Sequence, residues 1–110
     1  MKTNTKKYLI IGILISIVII LIVSVFIYNR TKENNAWELA TKTNSSTSYE
    51  YFLKSYPNGK YKIKADSLYD QSLWTETIKA SYFEAYQSYL NKIPNGFHIA
   101  EAKTILDKSK

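Results

Sequence analysis

The hydrophobic and polar positions of this chain change character at its twenty-eighth residue. Tyr8 to Tyr28 reads YLIIGILISIVIILIVSVFIY, 21 residues without a charge. As a helix this run is about 31 Å long, the thickness of a bilayer core. In lipid, a helix is the open-chain form that satisfies its own backbone. Further on, apolar residues recur at i, i+3, i+4 and i+7: Tyr49, Phe52, Leu53 and Tyr56, then Tyr86, Tyr89, Leu90 and Ile93. Each set is one apolar stripe on a helix. Thr47-x-x-Glu50 and Ser81-x-x-Glu84 predict capping boxes at the starts of these helices, and Pro57 and Pro94 stop them. A second stripe follows each proline. Tyr61, Ala65, Leu68 and Ser72 are joined by Tyr69 and Trp74–Ile78, and His98, Ala102, Ile105 and Leu106 repeat the spacing.

These stripes are one pattern used twice. At an offset of 37 without a gap, Trp37 falls on Trp74, Tyr49 on Tyr86, Phe52 on Tyr89 and Leu53 on Leu90. Pro57-Asn58-Gly59 falls on Pro94-Asn95-Gly96, Ala65 on Ala102 and Leu68 on Ile105. Matches concentrated at apolar and turn positions indicate stacked supersecondary units. Each unit is a short helix A, a Pro-Asn-Gly turn and a longer helix B, the glycine standing near the N-cap of helix B. Shifting helix B back by 37 places an earlier copy across the end of the apolar run and Trp37. The anchor is therefore expected to continue into the first hairpin, with Asn34-Asn35 the place for a bend.

The expected fold is all-α, an N-terminal transmembrane helix followed by two helical hairpins, with helices over 8–42, 47–56, 59–80, 81–93 and 96–108. Residues 1–7 form a basic head, 8–28 the anchor and 29–110 the repeat domain. A domain of about 80 residues buries only around 60% of its unfolded surface, so its stability is expected to be marginal without a partner.

The apolar run exceeds a signal-peptide core and no small-x-small cleavage site follows it, which favours an uncleaved anchor. Lys2, Lys6, Lys7 and the amino terminus outweigh Arg30 and Lys32, so the N-terminus is expected inside and the repeat outside the cytoplasm. The chain carries a net charge of +6. From Asn29 onward, 12 Lys/Arg against 9 Asp/Glu leave +3, a surface able to meet anionic headgroups but without the basic, aromatic-interleaved stripe of a nucleic-acid binder.

The string Tyr49-x-x-Phe52-Leu53-Lys54-Ser55-Tyr56-Pro57-Asn58-Gly59-Lys60-Tyr61-x-x-x-Ala65 resembles the tetratricopeptide-like repeats of bacterial envelope proteins. The outer-membrane assembly lipoproteins and cell-division coordinators carry such repeats. The resemblance covers about 36–106. It departs from the lipoproteins in lacking a lipid-bearing Cys, in having two units, and in placing Gly where their repeat has Ser. It implies a bacterial envelope protein whose A helices line a peptide-binding surface, with Tyr51, Lys54, Gln87 and Asn91 as contact residues; with the uncleaved anchor, the expected location is the inner membrane.

Catalytic chemistry finds little purchase. The absence of cysteine excludes thiol nucleophiles and zinc–thiolate sites. The single histidine, His98, takes the place of Tyr61 on an inward stripe and reads as a packing residue. Asp66 and Asp70, at i and i+4, could share a cation but read better as a solvated face. No cofactor or metal is expected. In the anchor, Gly12, Ser16 and Ser24 share one face, a spacing that lets two membrane helices approach and self-associate. The leading expectation is a non-enzymatic protein–protein interaction module held to the membrane. The alternative is a small accessory subunit whose transmembrane helix makes the specific contacts. Cell-wall glycan binding through tyrosines is weaker, because packing uses most of them.

Overall fold

A computed structural model describes residues 2–110 of the chain. Met1, with its amino terminus, lies outside the described residues, as do the side chains of Lys2 and Thr3. Five helices account for the fold: α1 (Lys2–Thr43), α2 (Ser46–Ser55), α3 (Lys62–Ala80), α4 (Phe83–Lys92) and α5 (Ile99–Lys108). No strand occurs among the described residues. The chain divides into two compact units, one ending at Asn35 and the other spanning Ala36–Lys110.

The first unit is helical throughout its described length. Large apolar side chains from Tyr8 to Tyr28 are exposed on every side, Ile10, Ile20 and Ile22 among them. This helix is long and apolar enough to cross a membrane. The basic head is part of it, since α1 begins at Lys2 rather than Tyr8. The helix also continues through Asn34-Asn35 without interruption. Local propensity there is weaker than the sum of propagating hydrogen bonds on either side.

In the second unit, the last turns of α1, α3 and α5 run one way, and α2 and α4 run back between them. The ladder of contacts sets these directions. The Ser48 hydroxyl donates to the Ala40 carbonyl, 3.0 Å, while Trp37 meets Phe52. Glu76 of α3 accepts from the Ser46 N–H, 3.1 Å, while Trp74 meets Tyr86.

The core is aromatic, and its geometry recurs at the offset of 37. Trp37 stacks on Tyr61 with ring centroids 4.8 Å apart and planes at 8°, and Trp74 stacks on His98 at 4.6 Å and 3°. Trp37 lies 5.1 Å from Phe52 and 6.1 Å from Tyr49, and Trp74 lies 5.0 Å from Tyr89 and 6.0 Å from Tyr86. Tyr49, Phe52 and Tyr89 are fully buried.

The turns recur too. Tyr56 N–H donates to Phe52 O and Gly59 N–H to Tyr56 O. Thirty-seven residues on, Ile93 N–H donates to Tyr89 O and Gly96 N–H to Ile93 O. At the opposite turns the left-handed residues are Asn44 (φ 50°) and Ser81 (φ 56°), again 37 apart.

Four local expectations are corrected by the structure. The capping box on α2 is Ser45 with Ser48, each side chain accepting the other's backbone N–H at 3.1 Å, in place of Thr47 and Glu50. At α4 the N-cap is Tyr82 without a side-chain cap, because Ser81 is already the left-handed C-cap of α3. Helix B starts at Lys62 and Ile99, later than 59 and 96, with Tyr61 and His98 as N-caps. Ile78 is 49% exposed, while Leu73 and Thr77 are buried. A single stripe was expected on α3, but the helix is packed from two sides, by α2 and by α4, so its buried set is wider.

Trp74→Ala removes the ring that α4, α5 and α3 share. It is expected to lower the stability of the full chain in detergent micelles by about 3–5 kcal/mol, read from urea unfolding by near-ultraviolet circular dichroism. His98→Tyr, which restores the pairing seen at Trp37, is expected to cost far less than His98→Ala.

Candidate functional site

The polar centre of the second hairpin is built on Asp70, which is 3% exposed. Its carboxylate accepts a short hydrogen bond from the Tyr89 hydroxyl and a second from the Phe97 N–H at 2.7 Å. The same Tyr89 oxygen accepts from the His98 N–H at 3.2 Å. One carboxylate on α3 thereby ties the end of α4 to the start of α5. The expectation of a solvated Asp66/Asp70 face fails at Asp70. Asp66 does stay exposed and pairs with Lys62 at 2.7 Å. The missed signal was the spacing of Asp70 to Trp74, i to i+4, which puts the carboxylate on the buried face.

Gly96 belongs to this network. Its φ is not positive, and it stands two residues before the N-cap of α5, so it is neither a left-handed turn residue nor a cap. A Cβ there would lie 2.5 Å from the Tyr89 hydroxyl and 2.8 Å from the Ile93 side chain. Glycine is required for space. Burial, and then the hydrogen bond to Asp70, raise the Tyr89 hydroxyl to a pKa of about 12. Burial also raises Tyr69, together with the neighbouring Glu50 carboxylate that its hydroxyl meets.

Beside this network lies an open groove of about 850 Å³. Its walls are the last turn of α2 (Leu53, Lys54), the first half of α3 (Ile63, Ser67) and the α4–α5 turn (Pro94, Phe97). Lys54 pairs with Glu50 across one turn at 3.3 Å. Lys92 also lines the groove and has no ion pair among the described residues.

Of the four contact residues drawn from the resemblance, Lys54 lines this groove, whereas Tyr51, Gln87 and Asn91 are exposed elsewhere on α2 and α4. Tyr51 is 75% exposed. In the first unit, the hydroxyls of Ser16 and Ser24 donate to the carbonyls of Gly12 and Ile20 at 2.9 and 2.7 Å. They are committed to their own helix, and the face they share with Gly12 offers shape rather than hydrogen bonds. No group of three or more His, Cys, Asp or Glu able to hold a metal is found among the described residues. His98 is stacked on Trp74 with its Nδ1 3.5 Å from Glu101. The chain matches no protein-family model, no curated protein and no solved structure.

Gly96→Ala is expected to destabilise the chain by about 1–3 kcal/mol through overpacking, and Tyr89→Phe by about 1.5–3 kcal/mol through loss of a hydrogen bond to a charged group, both measured by urea unfolding. Raising the folded-state pKa of Tyr89 from 10 to about 12 stabilises the fold fully below pH 10. That contribution is lost as pH rises through 12, so an alkaline titration of the native chain should show stability falling across this window, less steeply in Tyr89→Phe.

Proposed function

We propose that this chain is a membrane-anchored, non-enzymatic protein–protein interaction module of the bacterial envelope. Residues 8–28 span the cytoplasmic membrane with the N-terminus inside, and 29–110 form two tetratricopeptide-like hairpins outside. The observation that carries this reading is the recurrence, at one offset of 37, of ring cluster, proline turn and left-handed turn. Stacked hairpins of this kind present helix faces that neighbours leave uncovered, and such faces serve binding. The exposed apolar residues from Tyr8 to Tyr28 support an anchor, because a patch of that size is not left to water. Tyr51, Lys54, Gln87 and Asn91 are the proposed contacts to the partner, and Gly12, Ser16 and Ser24 the proposed packing face of the anchor.

Two measurements test this reading. A phosphatase reporter fused after Lys110 is expected to be active and a fluorescent-protein reporter dark, with the chain retained in carbonate-washed membranes. The opposite reporter pattern would reverse the topology. A photo-crosslinking residue at Tyr51 or Gln87 is expected to capture a discrete partner in cells, and to do so still when 8–28 is replaced by an unrelated span. Crosslinks that disappear with the native span would favour an accessory subunit recognised through its membrane helix.

A further inference from the structure

Ile63 and Phe97 are the most exposed large apolar side chains of the second unit, at 85% and 81%. They are far apart in sequence, yet both line the groove beside Asp70. Their position follows from the helix directions. The chain arrives at Ala36, runs out along α1, back along α2, out along α3 and back along α4. The turns at 56–61 and 93–98 therefore lie at the end of the unit where the chain arrives, and the Trp37–Tyr61 stack pins the first of them there.

Charge is segregated in the same way. Residues 54–66 and 91–101 carry Lys54, Lys60, Lys62, Lys64 and Lys92 against Asp66 and Glu101, whereas the rest of 36–110 has five lysines against six carboxylates. Three carboxylates line the groove: Asp70 is engaged by Tyr89 and the Phe97 N–H, Glu50 by Lys54 and Asp66 by Lys62, which leaves Lys60, Lys64 and Lys92 outside the ion pairs among the described residues. Seven residues, 29–35, lie between Tyr28, the last of the apolar run, and Ala36, which makes eight Cα steps. Even fully extended they reach no more than about 28 Å.

We infer that this basic, apolar-tipped end is a second membrane contact, one that seats on the headgroups of anionic phospholipid. The inference rests on the anchored reading above. Exposed Phe and Ile beside lysines are the side-chain set that inserts at an interface while pairing with lipid phosphate. A short tether holds this end within reach of the surface, so association costs little further loss of freedom. Ile63 and Phe97 meet the interface beside Lys60, Lys64 and Lys92, and the repeat faces bearing Tyr51, Lys54 and Gln87 stay available to a protein.

The chain has no cysteine, so single spin labels test this directly. Full-length Asn95→Cys and Lys79→Cys, each labelled with a nitroxide, are reconstituted into vesicles of phosphatidylcholine alone or with one-quarter phosphatidylglycerol. Accessibility to an aqueous nickel chelate is expected to be several-fold lower at 95 than at 79 in the anionic vesicles, with the contrast shrinking in neutral vesicles and in high salt. Each of Lys60→Gln, Lys64→Gln and Lys92→Gln should weaken the contact equilibrium by about fivefold. Ile63→Ser with Phe97→Ser, both at exposed positions, should restore accessibility at 95 without changing circular dichroism. Equal accessibility of the two labels in anionic vesicles, with the chain still co-floating, overturns the inference and leaves the groove to a protein segment. Failure to co-float at all overturns the anchored reading itself.

Discussion

Everything in the second unit depends on a flat ring laid against a tryptophan. Trp37 meets Tyr61, and Trp74 meets His98, at nearly parallel planes. In each case the stacked partner is the N-cap of the helix that follows a proline turn. The stack fixes where that helix begins relative to the helix before the hairpin, and the two rings from helix A close the cluster from the side. Aromatic pairs contribute beyond their buried area because their geometry is specific. A small unit with little core volume gains orientation from them as well as burial. Aliphatic packing alone would leave the hairpins freer to slide.

The two hairpins share this device but finish it differently. In the second, Tyr89 brings a hydroxyl that Asp70 and the His98 N–H capture. In the first, Phe52 stands at that place and brings no hydroxyl. A buried carboxylate is tolerable when its oxygens are hydrogen-bonded. Asp70 meets that condition through one side chain and one backbone N–H from α4 and the following turn. Glycine at 96 is the steric condition for the same bonds. One acid, one phenol and one glycine thus act together, and substituting any of them disturbs the other two.

Much of this was legible in the sequence because the repeat is carried by residue types that announce themselves. The tryptophans, the proline turns and the i, i+3, i+4, i+7 stripes gave the number of helices and their order. The uncharged run gave the first unit. What was missed depends on tertiary contact. Asp70 looks like half of a solvated pair until α4 brings Tyr89 to it, and Ser45 caps α2 only because Asn44 turns left-handed before it. Glu76, thirty residues from Ser46, accepts from its N–H and hydroxyl, a cap that no local window contains. The groove was half legible: Lys54 was identified by resemblance, but its association with Phe97 needed the fold.

Helix α3 belongs to both hairpins. Its N-cap, Tyr61, completes one ring cluster, and Trp74 opens the next. The natural seam of this architecture therefore runs through the middle of a helix rather than through a loop. A gain or loss of chain that preserves the fold must come in steps of one full period, and it can be cut anywhere along that period. Growth by duplication would thus lengthen the array while keeping every tryptophan opposite a ring.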